Sequence, residues 1–73
     1  MKSFYHFAMQ YRGVENKQDE RKQLADWMFY DHDFPKLSVS YDEITRYLEM
    51  QVPFPDALKT FDELWDDYKE NST

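Results

Sequence analysis

Residues 54–69 read FPDALKTFDELWDDYK, and within them Phe54, Leu58, Phe61, Leu64, Trp65 and Tyr68 recur at intervals of three and four. Side chains at that spacing share one face of an α-helix. The stretch therefore predicts an amphipathic helix running to about Lys69, with a mostly aromatic stripe facing a core. Asp62, Glu63, Asp66, Asp67 and Glu70 fall beside the stripe and fan outward as an acidic flank.

Working upstream, Pro53 and Pro55 end the preceding element and permit a new helix start, where a missing N–H costs nothing. Ser40-Tyr41-Asp42-Glu43 has the Ser-x-x-Glu form of a capping box, and Tyr41, Ile44, Tyr47 and Leu48 follow as the inward side of a third helix. Phe34 precedes Pro35, which disfavours helical backbone at Phe34. Residues 32–39 thus read as an irregular connection, with room for a short extra helical turn, anchored by Phe34 and Leu37. A second helix carries Leu24, Trp27 and Met28, with Ala25 and Phe29 on an adjoining edge, and ends near Tyr30 or Asp31. Asn16 and Asp19 offer its cap. The first helix spans residues 4–12, with Ser3 as N-cap, Phe4, Phe7, Ala8 and Tyr11 inward, and Arg12-Gly13 as the expected stop.

No strand pattern survives, so the class is all-α: a compact orthogonal bundle of four main helices joined by short connections. Residues 1–70 form one domain and 71–73 a disordered tail. At 73 residues a single core only just offsets conformational entropy, and with no cysteine there is no disulfide to help. Six Phe, six Tyr and two Trp supply the compensation, because each buried ring removes about 150–250 Å² from water. The expected core is Phe4, Phe7, Tyr11, Leu24, Trp27, Met28, Phe34, Ile44, Leu48, Leu58, Phe61, Trp65 and Tyr68.

The formal charge is −6, which disfavours nucleic acid and anionic membrane, since both draw affinity from Lys and Arg. Only Lys17, Arg21 and Lys22 cluster, and Asp19 and Glu20 sit among them. Met1-Lys2-Ser3 leads straight into an amphipathic segment without a signal-peptide pattern, and no apolar run is long enough to span a bilayer. The expectation is a soluble, cytoplasmic protein with no membrane association.

Asp31-His32-Asp33 brings two carboxylates and an imidazole together, the ingredients of a metal site or a general base. Consecutive residues rarely aim at one centre, so a solvated helix end is favoured, and His6 reads as a packing or surface residue. The acidic flank lacks the glycine and alternating ligand spacing of a calcium loop. A solvated face supported by Lys59 and Glu63 at i, i+4 is favoured over a docking surface for a basic partner. Trp65, Phe61 and Tyr68 lack the basic groove of a nucleic-acid stacking platform. Lys36 and Arg46 are not core types: a local ion pair, Arg46 with Asp42 one turn before it, stands against a basic corner contacting an acidic partner. Tyr5, Met9, Tyr30 and Met50 fall off the main stripes, and clustered together they would make a contact patch. The candidate interaction surface is Lys36, Arg46, Asp62, Glu63, Asp66 and Asp67. No catalytic, metal or cofactor residue is expected.

Ser3-Phe4-Tyr5, Tyr11-Arg12, Phe34-Pro35-Lys36, Tyr41, Glu43-Ile44, Tyr47-Leu48-Glu49, Phe61-Asp62-Glu63, Trp65 and Tyr68 occur in an order and spacing that resembles the YozE family of short bacterial proteins, found mainly in Firmicutes. The resemblance covers essentially the whole chain and implies a small helical bundle likened to the sterile alpha motif (SAM) fold. It implies no particular activity and transfers no site residue. SAM-like bundles elsewhere act mostly in protein interaction or self-association, some binding RNA or DNA. By analogy of fold, which does not fix function, the expectation is a non-catalytic interaction module with a protein partner or itself. A nucleic-acid-associated accessory protein using a local basic patch is the alternative.

Overall fold

The computed structural model describes residues 2–13 and 19–71. The described residues form four α-helices, α1 (Phe4–Ala8), α2 (Glu20–Tyr30), α3 (Tyr41–Gln51) and α4 (Ala57–Asn71), with a 3-10 helix (Met9–Gly13) following α1 and irregular connections between α2 and α3 and between α3 and α4. There is no strand among the described residues. Asn71, expected in the tail, is instead the last residue of α4, and its side-chain amide donates to the Asp67 carbonyl at 2.7 Å.

The helix starts are set by short polar side chains. Ser3 Oγ accepts from the His6 N–H at 3.1 Å and Ser40 Oγ from the Glu43 N–H at 3.2 Å, each satisfying a donor that has no partner within its helix. The capping box is completed differently from expectation: the Ser40 N–H donates to Ser38 Oγ at 3.0 Å. Asp19 caps α2, accepting from the Arg21 N–H at 2.9 Å, whereas Asn16 lies outside the described residues, as does the loop at 14–17.

α-Helical winding after Ser3 stops at Ala8, not at Arg12, and Gly13 sits inside the tighter 3-10 helix. That helix packs closely on α2, where Arg12 meets Asp26 at 2.9 Å. The 32–40 connection holds two hydrogen-bonded turns and no helix: Phe34 N–H to Asp31 O at 3.3 Å, and Ser38 N–H to Pro35 O at 3.2 Å. The second turn projects Leu37 outward, leaving it 92% exposed instead of anchoring the loop, while Phe34 is buried as expected.

α4 is the spine. It packs against α1, α2 and α3, whereas the α3 backbone lies close to α4 alone. Phe4 from α1 sits at the centre of an aromatic cluster, its ring 5.0 Å from Phe61, 5.5 Å from Trp65 and 5.6 Å from Tyr68. A second cluster joins α2, the connection and α3, with Phe34 6.2 Å from Trp27 and 5.7 Å from Tyr47. Edge-on and tilted pairs of this kind contribute about 0.5–1.5 kcal/mol each beyond the area they bury.

Four expected core residues, Phe7, Tyr11, Trp27 and Trp65, lie at its margin, half-buried against it. Leu58 does not belong to it: α4 buries Ala57, Thr60, Phe61, Leu64 and Tyr68, and Leu58 lies about 100° around the helix from Ala57, exposed. Phe54 precedes α4, because the helix begins only after Pro55, and its carbonyl accepts from the Ala57 N–H. Tyr41, expected inward, is 41% exposed at the seam between α3 and α4.

α3 ends on Val52 in the left-handed region, φ 39° and ψ 66°, with its N–H donating to Leu48 O at 2.8 Å. The left-handed region crowds a β-branched side chain and is usually given to glycine. Pro53 keeps Val52 out of the right-handed helical region, and the chain reverses here into α4.

Candidate interaction surfaces

The two basic candidates lie on a corner built by the 33–40 connection and the outer side of α3. A groove of about 470 Å³ there is lined by Asp33, Pro35, Glu43, Arg46, Tyr47 and Met50 among others. A second depression shares Pro35 and Glu43 and continues past Lys36 to Leu37. Leu37 at one end is 92% exposed and Met50 at the other 79%. Arg46 pairs with Asp42 at 3.2 Å, both well exposed, a contact contributing about 0–1 kcal/mol. Among the described residues Lys36 makes no ion pair of that kind; its ammonium stands 5.7 Å over the Tyr5 ring.

Asp31 braces two residues that line this corner, Tyr47 and Asp33. Its carboxylate accepts from the Tyr47 phenol at 2.5 Å and from the Asp33 N–H at 3.2 Å, so it ties the end of α2 to α3 and shapes the turn between them. Burial first, and this bond to Asp31 second, push the Tyr47 phenol up to about 12. Asp31-His32-Asp33 is therefore an organiser of the loop. Among the described residues no group of three His, Cys, Asp or Glu side chains is placed to hold a metal ion.

The acidic candidates of α4 are dispersed among different neighbours. Asp62 accepts from the Tyr41 phenol at 2.6 Å, which is the largest cause of that phenol's raised pKa. Glu63 meets Arg21 of α2 at 3.7 Å, in place of the expected Lys59, and Asp66 meets Lys69 at 3.7 Å. Asp67 turns the other way, toward α1 and Tyr11. Burial foremost, and Asp67 next, hold the Tyr11 phenol above its ordinary value.

The small basic cluster is largely neutralised. Arg21 has Glu63, Lys22 has Asp26 at 2.7 Å, and Lys17 lies outside the described residues. Of the off-stripe residues, Tyr5 and Met9 pack against the core, while Met50 and Tyr30 are exposed. Tyr30 pairs with Phe29, ring centroids 5.1 Å apart, and the Arg12 guanidinium lies 3.7 Å over the Phe29 ring. Tyr68 donates its phenol hydrogen to the Lys2 carbonyl, joining the N-terminal segment to α4.

A small all-α bundle with an aromatic core, and with candidate residues spread over its surface, is the class these features define. The chain belongs to the YozE family: the family model described as "YozE SAM-like fold" matches residues 3–70. UPF0346 protein YozE of Bacillus subtilis is 44% identical over 69 residues, covering 94% of this chain and 92% of the relative. A UPF0346 protein of Bacillus licheniformis is 46% identical over 93% of this chain and 92% of its own length. UPF0346 protein YuiB of Lactococcus lactis is 43% identical over 93% and 97% respectively. No solved structure matches the chain. The fold is thus SAM-like, and the relatives' names assign no activity. No helix among the described residues is long and apolar enough to cross a membrane.

Proposed function

We propose that this chain is a non-catalytic, cytoplasmic interaction module that docks a protein partner, or a second copy of itself, through the corner between the 33–40 connection and α3. The observation that carries this reading is the pair Leu37 and Met50, 92% and 79% exposed, each lining one of two depressions that share Pro35 and Glu43. Large apolar side chains left in water on a bundle this short of core are available for burial against something else. Lys36 and Arg46 line one of these depressions each and would give such a contact its orientation. The nucleic-acid alternative draws little support, because Arg21 and Lys22 are held by Glu63 and Asp26.

Amine-reactive crosslinking in extract of the native host, with mass-spectrometric mapping, tests the reading. Partner or self crosslinks are expected to concentrate on Lys36, with few on Lys59 or Lys69. Light scattering that shows a monomer at every concentration, together with no crosslink from Lys36, would overturn it.

A further inference from the structure

A second depression, about 320 Å³ and separate from the Pro35 corner, lies between the start of the chain and the last turns of α4, lined by Lys2, Phe7, Gln10, Tyr11, Asp67 and Asn71. Its walls are tied together: Tyr68 holds the Lys2 carbonyl, and the Phe7 and Tyr11 rings stand 6.1 Å apart at 66°. Gln10 Nε2 donates to Phe7 O at 3.1 Å, and Asn71 Nδ2 to Asp67 O at 2.7 Å. Both side-chain amides thus turn their NH2 groups onto helix carbonyls and keep their oxygens as acceptors. The Asp67 carboxylate, already engaged with the Tyr11 phenol, adds further acceptor capacity, and the end of α4 adds the negative pole of its dipole. The Asp67 carboxylate and the pole of α4 make that side of the cleft electronegative, which suits a cation.

Geometry selects among cations. A guanidinium is planar, stacks on aromatic faces and meets a carboxylate with two parallel N–H donors, whereas an ammonium is a strongly hydrated point charge. The molecule already holds one guanidinium in this manner: Arg12 lies 3.7 Å over the Phe29 ring while its Nε donates to Asp26 at 2.9 Å. Phe7 or Tyr11 with Asp67 offers the same combination, ring beside carboxylate, without an arginine of its own among the lining residues. Lys2 is the one cation among the described lining residues, and its side chain is exposed.

We infer that the Asp67 cleft is a guanidinium-binding site that receives an arginine side chain of a protein partner. The partner as the source of the arginine rests on the interaction reading above; the preference of the cleft for guanidinium does not.

The test is a heteronuclear NMR titration of the full chain with N-acetyl-arginine N-methylamide, with the neutral isostere N-acetyl-citrulline N-methylamide as control. The arginine compound is expected to give saturable shifts at Phe7, Gln10, Tyr11, Asp67 and Asn71, and the citrulline compound none. Asp67→Asn keeps the shape of the side chain and should weaken binding about tenfold or more. Asp66→Asn, which removes the same charge on the Lys69 side, should leave it nearly unchanged. Lys2→Ala should strengthen binding about two- to fivefold by removing a competing cation. Equal response to citrulline, equal loss for Asp66→Asn and Asp67→Asn, or no saturable shift at the cleft would overturn the proposal. Agmatine binding as tightly as the arginine compound would overturn the partner as source. Loss of guanidinium binding with Lys36 crosslinks intact would sink the cleft and spare the interaction reading.

Discussion

α3 and α4 carry the same kind of apolar repeat, yet they hold different places in the molecule. α4 meets every other α-helix and buries Phe61, Leu64 and Tyr68 almost completely. Among the helices α3 lies against α4 alone at the backbone, buries Ile44 and Leu48 in the shared core, and is tied to α2 by the Tyr47 side chain. Its remaining sides belong to the exposed corner with Arg46 and Met50. A periodic stripe therefore shows which face of a helix is buried, and the number of neighbours around that helix decides whether it is a spine or a margin.

The largest test of this contrast is Phe61→Ala, which opens a cavity among Phe4, Tyr41 and Trp65 and should cost about 3–5 kcal/mol in chemical denaturation. Met50→Ala should stay within about 0.5 kcal/mol of wild type. Similar losses for the two would erase the distinction between spine and margin.

Tyr47→Phe isolates the polar tie between α3 and α2, and leaving the Asp31 carboxylate without its phenol should cost about 1.5–3 kcal/mol. Because the folded-state pKa of Tyr47 is raised from the ordinary 10.0 to about 12, its contribution is fully present below pH 10.0 and is lost as pH rises toward 12. Melting temperature against pH, with tyrosinate absorbance recorded in parallel, should show an alkaline loss in wild type that is reduced in Tyr47→Phe.

A smaller effect of opposite sign belongs to Asp26. Lys22 first, and Arg12 second, hold its carboxyl below the ordinary 3.8. A lowered folded-state pKa gives stability that is present above 3.8 and is lost as pH falls through the folded value. Asp26→Asn should flatten the acid side of the stability profile and leave the alkaline side alone. At the far end of α3, Val52→Gly relieves a left-handed β-branched residue and should stabilise by about 0.5–1 kcal/mol, glycine's greater unfolded-state entropy offsetting part of the gain. A loss on denaturant unfolding would show that the Val52 side chain contributes more than its backbone costs.

How much of this was legible in the sequence follows from range. Helices α2 to α4 were readable because their signals are local: a capping Ser40, a proline pair at 53 and 55, and stripes of period three to four. The buried Phe4, Leu24, Met28, Ile44, Leu48, Phe61 and Tyr68 followed from the same repeats, and Phe34 from its place before Pro35 as an anchor of the connection. Leu58 and Leu37 were misplaced because hydrophobicity does not show which flank of a helix or turn has a neighbour. The left-handed turn at Val52 carried no glycine or asparagine to announce it. At the candidate sites, the pairing of Arg46 with Asp42 was readable as an i, i+4 spacing. Tyr47 on Asp31, Tyr41 on Asp62 and Glu63 on Arg21 span separate elements, so only the packed fold brings them together.

The central claim is that the corner of Leu37 and Met50 is built for contact and contributes little to folding. The most direct measurement is thermal unfolding and association recorded on one sample of the charge-neutral double variant Leu37→Asp/Met50→Lys. The expected result is a melting temperature within a few degrees of wild type and loss of the Lys36-centred association. A steep fall in melting temperature, or association that survives the substitutions unchanged, would contradict it.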